Sequence, residues 1–337
     1  MLAWSVQLKV IYNSADIAAN LRRFTTGWTY TDNISGQADD LQLELRDDEQ
    51  LWIGNWMPEK GALLTCKILR ENWVKNQLEK LELGLFEIDE VECSYPPSKA
   101  TIKATSIPGS SALRGEDKNR AWEKTKLSVV SGNIASGAGV KLFYDTDDDP
   151  EYDRVEQTEE SDLVFLSRLC KDAGLSLKIS DSQIVIFDEL KYEQQEPVTT
   201  IVKGASYIKS YNGKTMLTGQ YKSCRVEYHD ANKNQTIKHT FSPPNPPNTG
   251  RVLVINERVA SRKEAERLAK KRLRQENKSG VVFSITMMGD LLYVAGLTVN
   301  LSGFGSFDGK YIIVQAVHDQ RSGYEVKLEL RKCLEGY

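Results

Sequence analysis

Trp4, Val6, Leu8 and Val10 stand between Ser5, Gln7 and Lys9, so the chain opens on an alternation of apolar and polar positions. A period of two predicts a strand with one buried face. The pattern returns at Leu41, Leu43 and Leu45 around Gln42 and Glu44, then at Ala62, Leu64, Cys66 and Ile68, and again at Phe86 and Ile88. Turn residues separate these runs, among them Asp32-Asn33, Gly54-Asn55 and Pro58. Residues 1–107 therefore read as short antiparallel strands in a barrel or sandwich. Pro108-Gly109-Ser110-Ser111 is the expected boundary.

Beyond Trp122 the spacing lengthens. Leu127, Val130, Ile134, Ala135 and Ala138 step by three and four, and Gly139 is placed to end that helix. A second helix carries a cap at Ser161, a favourable charge at Asp162, an apolar face at Leu163, Leu166, Cys170 and Ala173, and a stop at Gly174. Two amphipathic helices need a sheet to lie on, and LSLKIS and QIVIF can supply it. The prediction is a compact α/β unit over residues 108–198, ending near Glu196-Pro197.

From residue 199 alternation resumes, as at Cys224, Val226 and Tyr228. Pro243, Pro244, Pro246 and Pro247 exclude a central strand and predict an exposed loop. Ser261 and Glu264 form a capping box ahead of the stripe Ala265, Leu268, Ala269 and Leu273, which predicts a helix over about 261–277. VVFSI, LTVNL, KYIIVQAV and YEVKLEL close the chain as strands. The expected fold class is α+β, mainly β, with a small α/β insertion between two β-rich segments, 1–107 and 199–337.

Composition narrows the function classes. Forty-four Lys and Arg against 47 Asp and Glu give a net charge of −3, so no global field draws the chain to nucleic acid or to an anionic membrane. The alternating N-terminus does not resemble a signal peptide, and no apolar run approaches the ~18 residues of a membrane helix. Five cysteines without a CxxC spacing read as reduced thiols.

Candidate chemistry is sparse. Asp145, Asp147, Asp149 and Glu156 occupy positions 1, 3, 5 and 12 of a calcium loop, but Pro150 stands where the turn wants glycine, so a solvated acidic loop is expected. His229, His239 and His318 are the only histidines, and neither G-x-S-x-G nor H-E-x-x-H occurs. His318 is expected to make a turn-side hydrogen bond. LSGFGSFDG has Asp308 in place of the last nucleotide-loop glycine and reads as a β-turn between Gly303 and Gly309. Between Arg258 and Lys278 lie nine Lys or Arg and three Glu, and that basic helix is expected to face solvent or an acidic neighbouring subunit rather than DNA. Trp28, Trp52, Trp56 and Trp73 suit either a β core or interface anchors. The sequence thus assigns no catalytic, cofactor-binding or metal residue, and no cofactor.

Three stretches, AWEKTKLSVVSGNIASGAGVKLFYD, VEQTEESDLVFLSRLCKDAGLSLKISDSQIVIFDE with its Gln157, Ser161-Asp162, Phe165-Leu166 and Leu169 pattern, and the capping-box helix followed by GLTVNLSGFGSFDGKYIIVQAVHD, carry a resemblance in this order and spacing. Over roughly residues 110–335 the chain resembles late control protein D, the baseplate hub family of contractile phage tails, including Gram-positive prophage hubs and the hub part of VgrG-type proteins. The first hundred residues match it only in being β-rich. The resemblance implies two barrel-like tube domains, 1–107 and 199–337, around the 108–198 insertion. It also implies a homotrimer whose six barrels join a sixfold tail tube to a threefold spike, with tube, spike or tip, other baseplate proteins and tape measure as partners. Membrane and specific nucleic-acid binding are not implied. With the chain ending at Tyr337, the spike is expected on a separate polypeptide. The alternatives from other classes are a tail-associated peptidoglycan hydrolase or peptidase, and a β-barrel nucleic-acid module.

Overall fold

The computed structural model of the chain describes residues 4–17, 21–73, 77–106, 113–180, 182–205, 207–230, 234–259 and 261–337. The expected boundary at Pro108 to Ser111 lies outside the described residues. The first segment contains β1 (Ser5–Tyr12), β2 (Ala15–Asp16), β3 (Thr25–Asn33), β4 (Asp40–Arg46), β5 (Leu63–Glu71), β6 (Leu78–Ser94) and β7 (Lys99–Thr105). They pair antiparallel in the order β3-β4-β7-β6-β5-β1-β2. Alternation does what it predicts: Leu41, Leu43, Leu45, Leu64, Cys66, Ile68, Phe86 and Ile88 share one buried core with Val10 of β1 and Tyr30 of β3. Because strands from both ends of this order meet in that core, the sheet curls around it.

Next come β8 (Asp117–Lys126), α1 (Leu127–Gly137), β9 (Lys141–Asp145), β10 (Glu151–Ser161), α2 (Asp162–Ala173), β11 (Ser176–Ser180), β12 (Gln183–Phe187) and α3 (Glu189–Glu193). Both predicted helices and both predicted strands are present. The Ser161 hydroxyl accepts from the Val164 amide, and Gly174 ends α2 in the left-handed region at φ +67°. The buried face of α2 differs from the expected one: Phe165, Leu166, Leu169 and Cys170 are covered, while Leu163 and Ala173 lie at its margin. A helix apolar over much of its circumference leaves that choice to its neighbours. The β11-β12-β9 sheet carries the two helices, and β8 and β10 form a separate two-stranded ribbon.

The remainder consists of β13 (Thr199–Val202), β14 (Ile208–Thr215), β15 (Ser223–Asp230), β16 (Gln235–Phe241), β17 (Val252–Ile255), α4 (Arg262–Asn277), β18 (Val281–Met288), β19 (Thr298–Ser302), β20 (Gly309–Gln320) and β21 (Tyr324–Lys332). Six of them, in the order β13-β19-β20-β21-β18-β14, surround a second core built on Phe283, Ile285, Tyr311, Ile313, Val326 and Leu328. The capping-box helix lies instead on a small β16-β15-β17 sheet with its own core of Cys224, Val226, Ala265, Ala269 and Leu273. The proline cluster does form the loop between β16 and β17, with Pro243 itself buried.

One strand joins the two halves. β21 runs along one edge of β20, and the other edge is shared: Gly309–Ile312 pairs with β19, then Gln315–Gln320 pairs with Asn33–Trp28 of β3. A bulge between Ile313 and Gln315 separates the two registers. The result is a single thirteen-stranded sheet that wraps two cores.

Candidate assembly interface

His318 sits on the joining strand, fully buried and stacked between Tyr30 and Tyr324. Its Nε2 lies 2.9 Å from the Tyr293 carbonyl, which can only accept, so Nε2 carries the hydrogen and Nδ1 accepts from the Tyr324 hydroxyl at 2.7 Å. Burial pushes its pKa down, so the ring is neutral. This corrects the expected turn-side role: β20 continues through residue 318, and the histidine packs where the two halves meet.

Two buried ionic clusters clamp the insertion to both halves. Lys178 of β11 reaches Asp32 at 2.6 Å, Asp39 at 3.1 Å and the Asn33 carbonyl at 2.7 Å. Burial, reinforced by Asp32, pushes the Asp39 carboxyl up to about 6 against the opposing pull of Lys178. On the other side, Glu189 and Glu193 of α3 meet Arg274 and Lys278 of α4 with its cap and Arg331 of β21. Burial opposes the charge on Glu189, but Arg331 and Lys278, with a Ser176 hydroxyl at 2.5 Å, win and hold it at about 2. The energetic signature of such buried pairs is asymmetric: an intact pair adds little, whereas losing one partner costs about 3–5 kcal/mol.

The basic helix has internal partners. Arg267 and Lys271 bind Asp148, Arg272 binds Asp172 and Glu257, and Arg258 meets Asp153. Six of its nine cations thus pair with carboxylates of the same chain. The acidic run is correspondingly dispersed. Asp145 binds Lys191 and the Tyr192 hydroxyl, Asp149 accepts from the Ser128 amide and hydroxyl at the start of α1, and Glu156 pairs with Arg154. Two runs that looked like separate surface features hold each other.

The quoted Gln157 and Asp162 pattern has a packing role. Gln157 is buried, accepts from Arg120 at 2.7 Å, and donates to Asp162 at 2.9 Å, tying the ribbon to the start of α2. Trp122 stacks on Phe165 beside them at 5.4 Å. The Arg120 contact spans 37 positions, whereas Gln157 and Asp162 are five positions apart.

Surfaces available to partners lie at the strand edges and ends. β14 at one end of the large sheet has no further strand beyond it among the described residues, and β1 is covered only at Ile11 and Tyr12 by the two-residue β2. Trp28 and Trp52 are core residues and Trp73 is half-buried, its ring tilted against that of an exposed Trp4 with centroids 5.4 Å apart. Only Trp56 of the four candidates is substantially exposed. Ile53, Met57 and Leu63 are exposed as well, and β6 runs on past the end of β5 towards an exposed Tyr95.

Comparison with known proteins agrees with this architecture. The profile of the family described as "Phage tail baseplate hub (GPD)" matches residues 89–324. Two curated proteins, each named "Probable baseplate hub protein", from Escherichia phages 186 and P2, are 29% identical to the chain over 176 and 188 residues. Those matches cover 51% and 52% of this chain but 42% and 43% of the relatives, less than half of their length. Among solved structures, the 43 kDa tail protein of prophage MuSo2 from Shewanella oneidensis superposes with a TM-score of 0.74 at 14% identity, covering 97% of this chain and 98% of its own. A tail protein from Neisseria meningitidis MC58 does so at 0.72 and 12%, covering 97% of each. At such identities the likeness is one of fold.

Proposed function

The chain belongs to the phage tail baseplate hub (GPD) family, and from that premise we propose that it is a structural hub subunit of a contractile tail or tail-like particle, working without catalysis or cofactor. Three copies form a ring that joins a sixfold tail tube to a threefold spike. The spike or tip, the tube, other baseplate proteins and the tape measure are its partners, and the particle assembles in the cytoplasm of a bacterial host. The observation that carries this reading is the fusion of a seven-stranded and a six-stranded half, each around its own core, through β20 and β3. One chain then counts as two β units, so three chains around a threefold axis present six. The uncovered edges of β1 and β14 are where neighbouring copies add to the sheet. Commitment of the buried carboxylates to ion pairs favours a structural role over hydrolysis.

Light scattering over a wide concentration series tests the ring. Three copies of the 38.0 kDa chain have a mass of about 114 kDa, and that species is expected to grow with concentration. A monomer at every concentration that also clears a peptidoglycan zymogram would replace this reading with the hydrolase.

A further inference from the structure

Residues 216–280 leave the large sheet and return to it at one point. The Met216 amide donates to the Gly280 carbonyl at 2.8 Å where β14 and β18 meet, and the excursion between them carries the β16-β15-β17 sheet with α4 on it. The middle and C-terminal turns of α4, with its cap, close on the insertion through Arg267, Lys271, Arg272, Arg274 and Lys278. Between its first turns and the β8-β10 ribbon lies an open cleft of about 1400 Å³.

Charge says what enters this cleft. Of the nine cations between Arg258 and Lys278, Arg262, Lys263 and Lys270 pair with no carboxylate among the described residues, and Lys263 and Lys270 line the cleft. Lys270 has the Phe241 ring instead, 5.9 Å from its Nζ. Lys124 of the ribbon lines the cleft from the other side, exposed and likewise without a carboxylate among the described residues. Its backbone is held at φ +46°, a strained value for a lysine and of a kind that gathers at working surfaces. Against these three cations, Glu266 is the one lining carboxylate without a partner among the described residues. In a chain of net charge −3 this positive excess is local, and a concave site concentrates its field. The two walls are bridged by Arg258 and Asp153 at 3.2 Å, with side chains 75% and 82% exposed, and so exposed a pair yields readily to a competing carboxylate.

The cleft exceeds the ~300–1000 Å³ of small-molecule sites. A nucleic-acid backbone would set its phosphates against Glu151, Asp153 and Glu266 of the same walls, whereas a polypeptide brings amide donors for them together with its own carboxylates. We propose that the cleft receives an acidic segment of a partner polypeptide, whose carboxylates pair with Lys124 on one wall and with Lys263 and Lys270 on the other. That the partner is another protein of the same particle rests on the reading of the chain as an assembly subunit.

The test is fluorescence anisotropy of the full chain with a labelled peptide of alternating glutamate and glycine, in low and in high salt. Saturable binding is expected in low salt and its loss in high salt. Lys124→Gln, and Lys263→Gln with Lys270→Gln, should each weaken it by up to about fivefold per lysine, the most that one exposed ion pair contributes. Lys60→Gln, at an exposed position of the first half, should leave it unchanged. Absence of saturable binding overturns the proposal, as does an equal loss with Lys60→Gln or equal binding of a lysine-glycine peptide. Duplex DNA bound as tightly as the acidic peptide would also overturn it, by making the occupant a nucleic acid. Mass measured on the same samples reports the ring separately, so either reading can fail alone.

Discussion

Replacing Lys178 by methionine removes the cation that pairs with both Asp32 and Asp39 while keeping a stem of similar length. The two carboxylates, 5% and 1% exposed, are left without their counter-charge, and their cluster ties residues 146 positions apart. Breaking a buried pair in this way costs about 3–5 kcal/mol at neutral pH, a large share of a typical domain's stability. The cost must also depend on pH. Burial already pushes the Asp39 carboxyl up to about 6 with Lys178 present, above the usual aspartate value of about 4, so between those pH values the folded state binds more protons than the unfolded one and stability falls as pH rises. Without Lys178 the folded value climbs further. Lowering the pH from 7 to 5 should then return up to about 2.7 kcal/mol, one proton at 1.36 kcal/mol per pH unit. Urea unfolding at pH 7 and pH 5, followed by tryptophan fluorescence, measures both quantities, and Asp39→Asn in the Lys178→Met background should recover part of the loss at pH 7. A cost below about 1 kcal/mol, or one equal at the two pH values, would refute the clamp, because an exposed or water-relaxed lysine behaves that way.

Two further outcomes follow from the same structure. Glu189→Gln removes a carboxylate whose pKa is depressed to about 2 from 4.5; its stabilisation is complete above the unfolded value and disappears as pH falls through the folded one, so the variant should lose about 3 kcal/mol of acid-dependent stability between pH 5 and 2, visible as a flatter acid unfolding profile. Gly289→Ala would place a Cβ 2.3 Å from the Tyr324 ring, so the ring must move and disturb the His318 hydrogen bond; a loss of about 1–3 kcal/mol with an altered near-ultraviolet spectrum is expected, and an unchanged melting temperature would contradict that packing.

Alternation along the chain, by itself, determined the mainly β character and the position of most strands, since a period of two with turn residues between needs no distant partner to be recognised. Caps did the same for α2 and α4, because Ser161 and Ser261 satisfy amides only three residues away. The order of short motifs was enough to indicate the hub family. Everything that fastens these pieces together was decided by the tertiary structure. Arg331 meets Glu189 across 142 positions and Asp148 meets Lys271 across 123, and no local period records such pairs. The same holds for which tryptophans are core and which are exposed, for the face of α2 that is buried, and for His318. Burial depends on what the chain brings back from far away, and pairing of the charged runs depends on two surfaces closing on each other. A sequence read in short windows holds the elements; the desolvation and contact that turn them into one sheet around two cores exist only once the chain is folded.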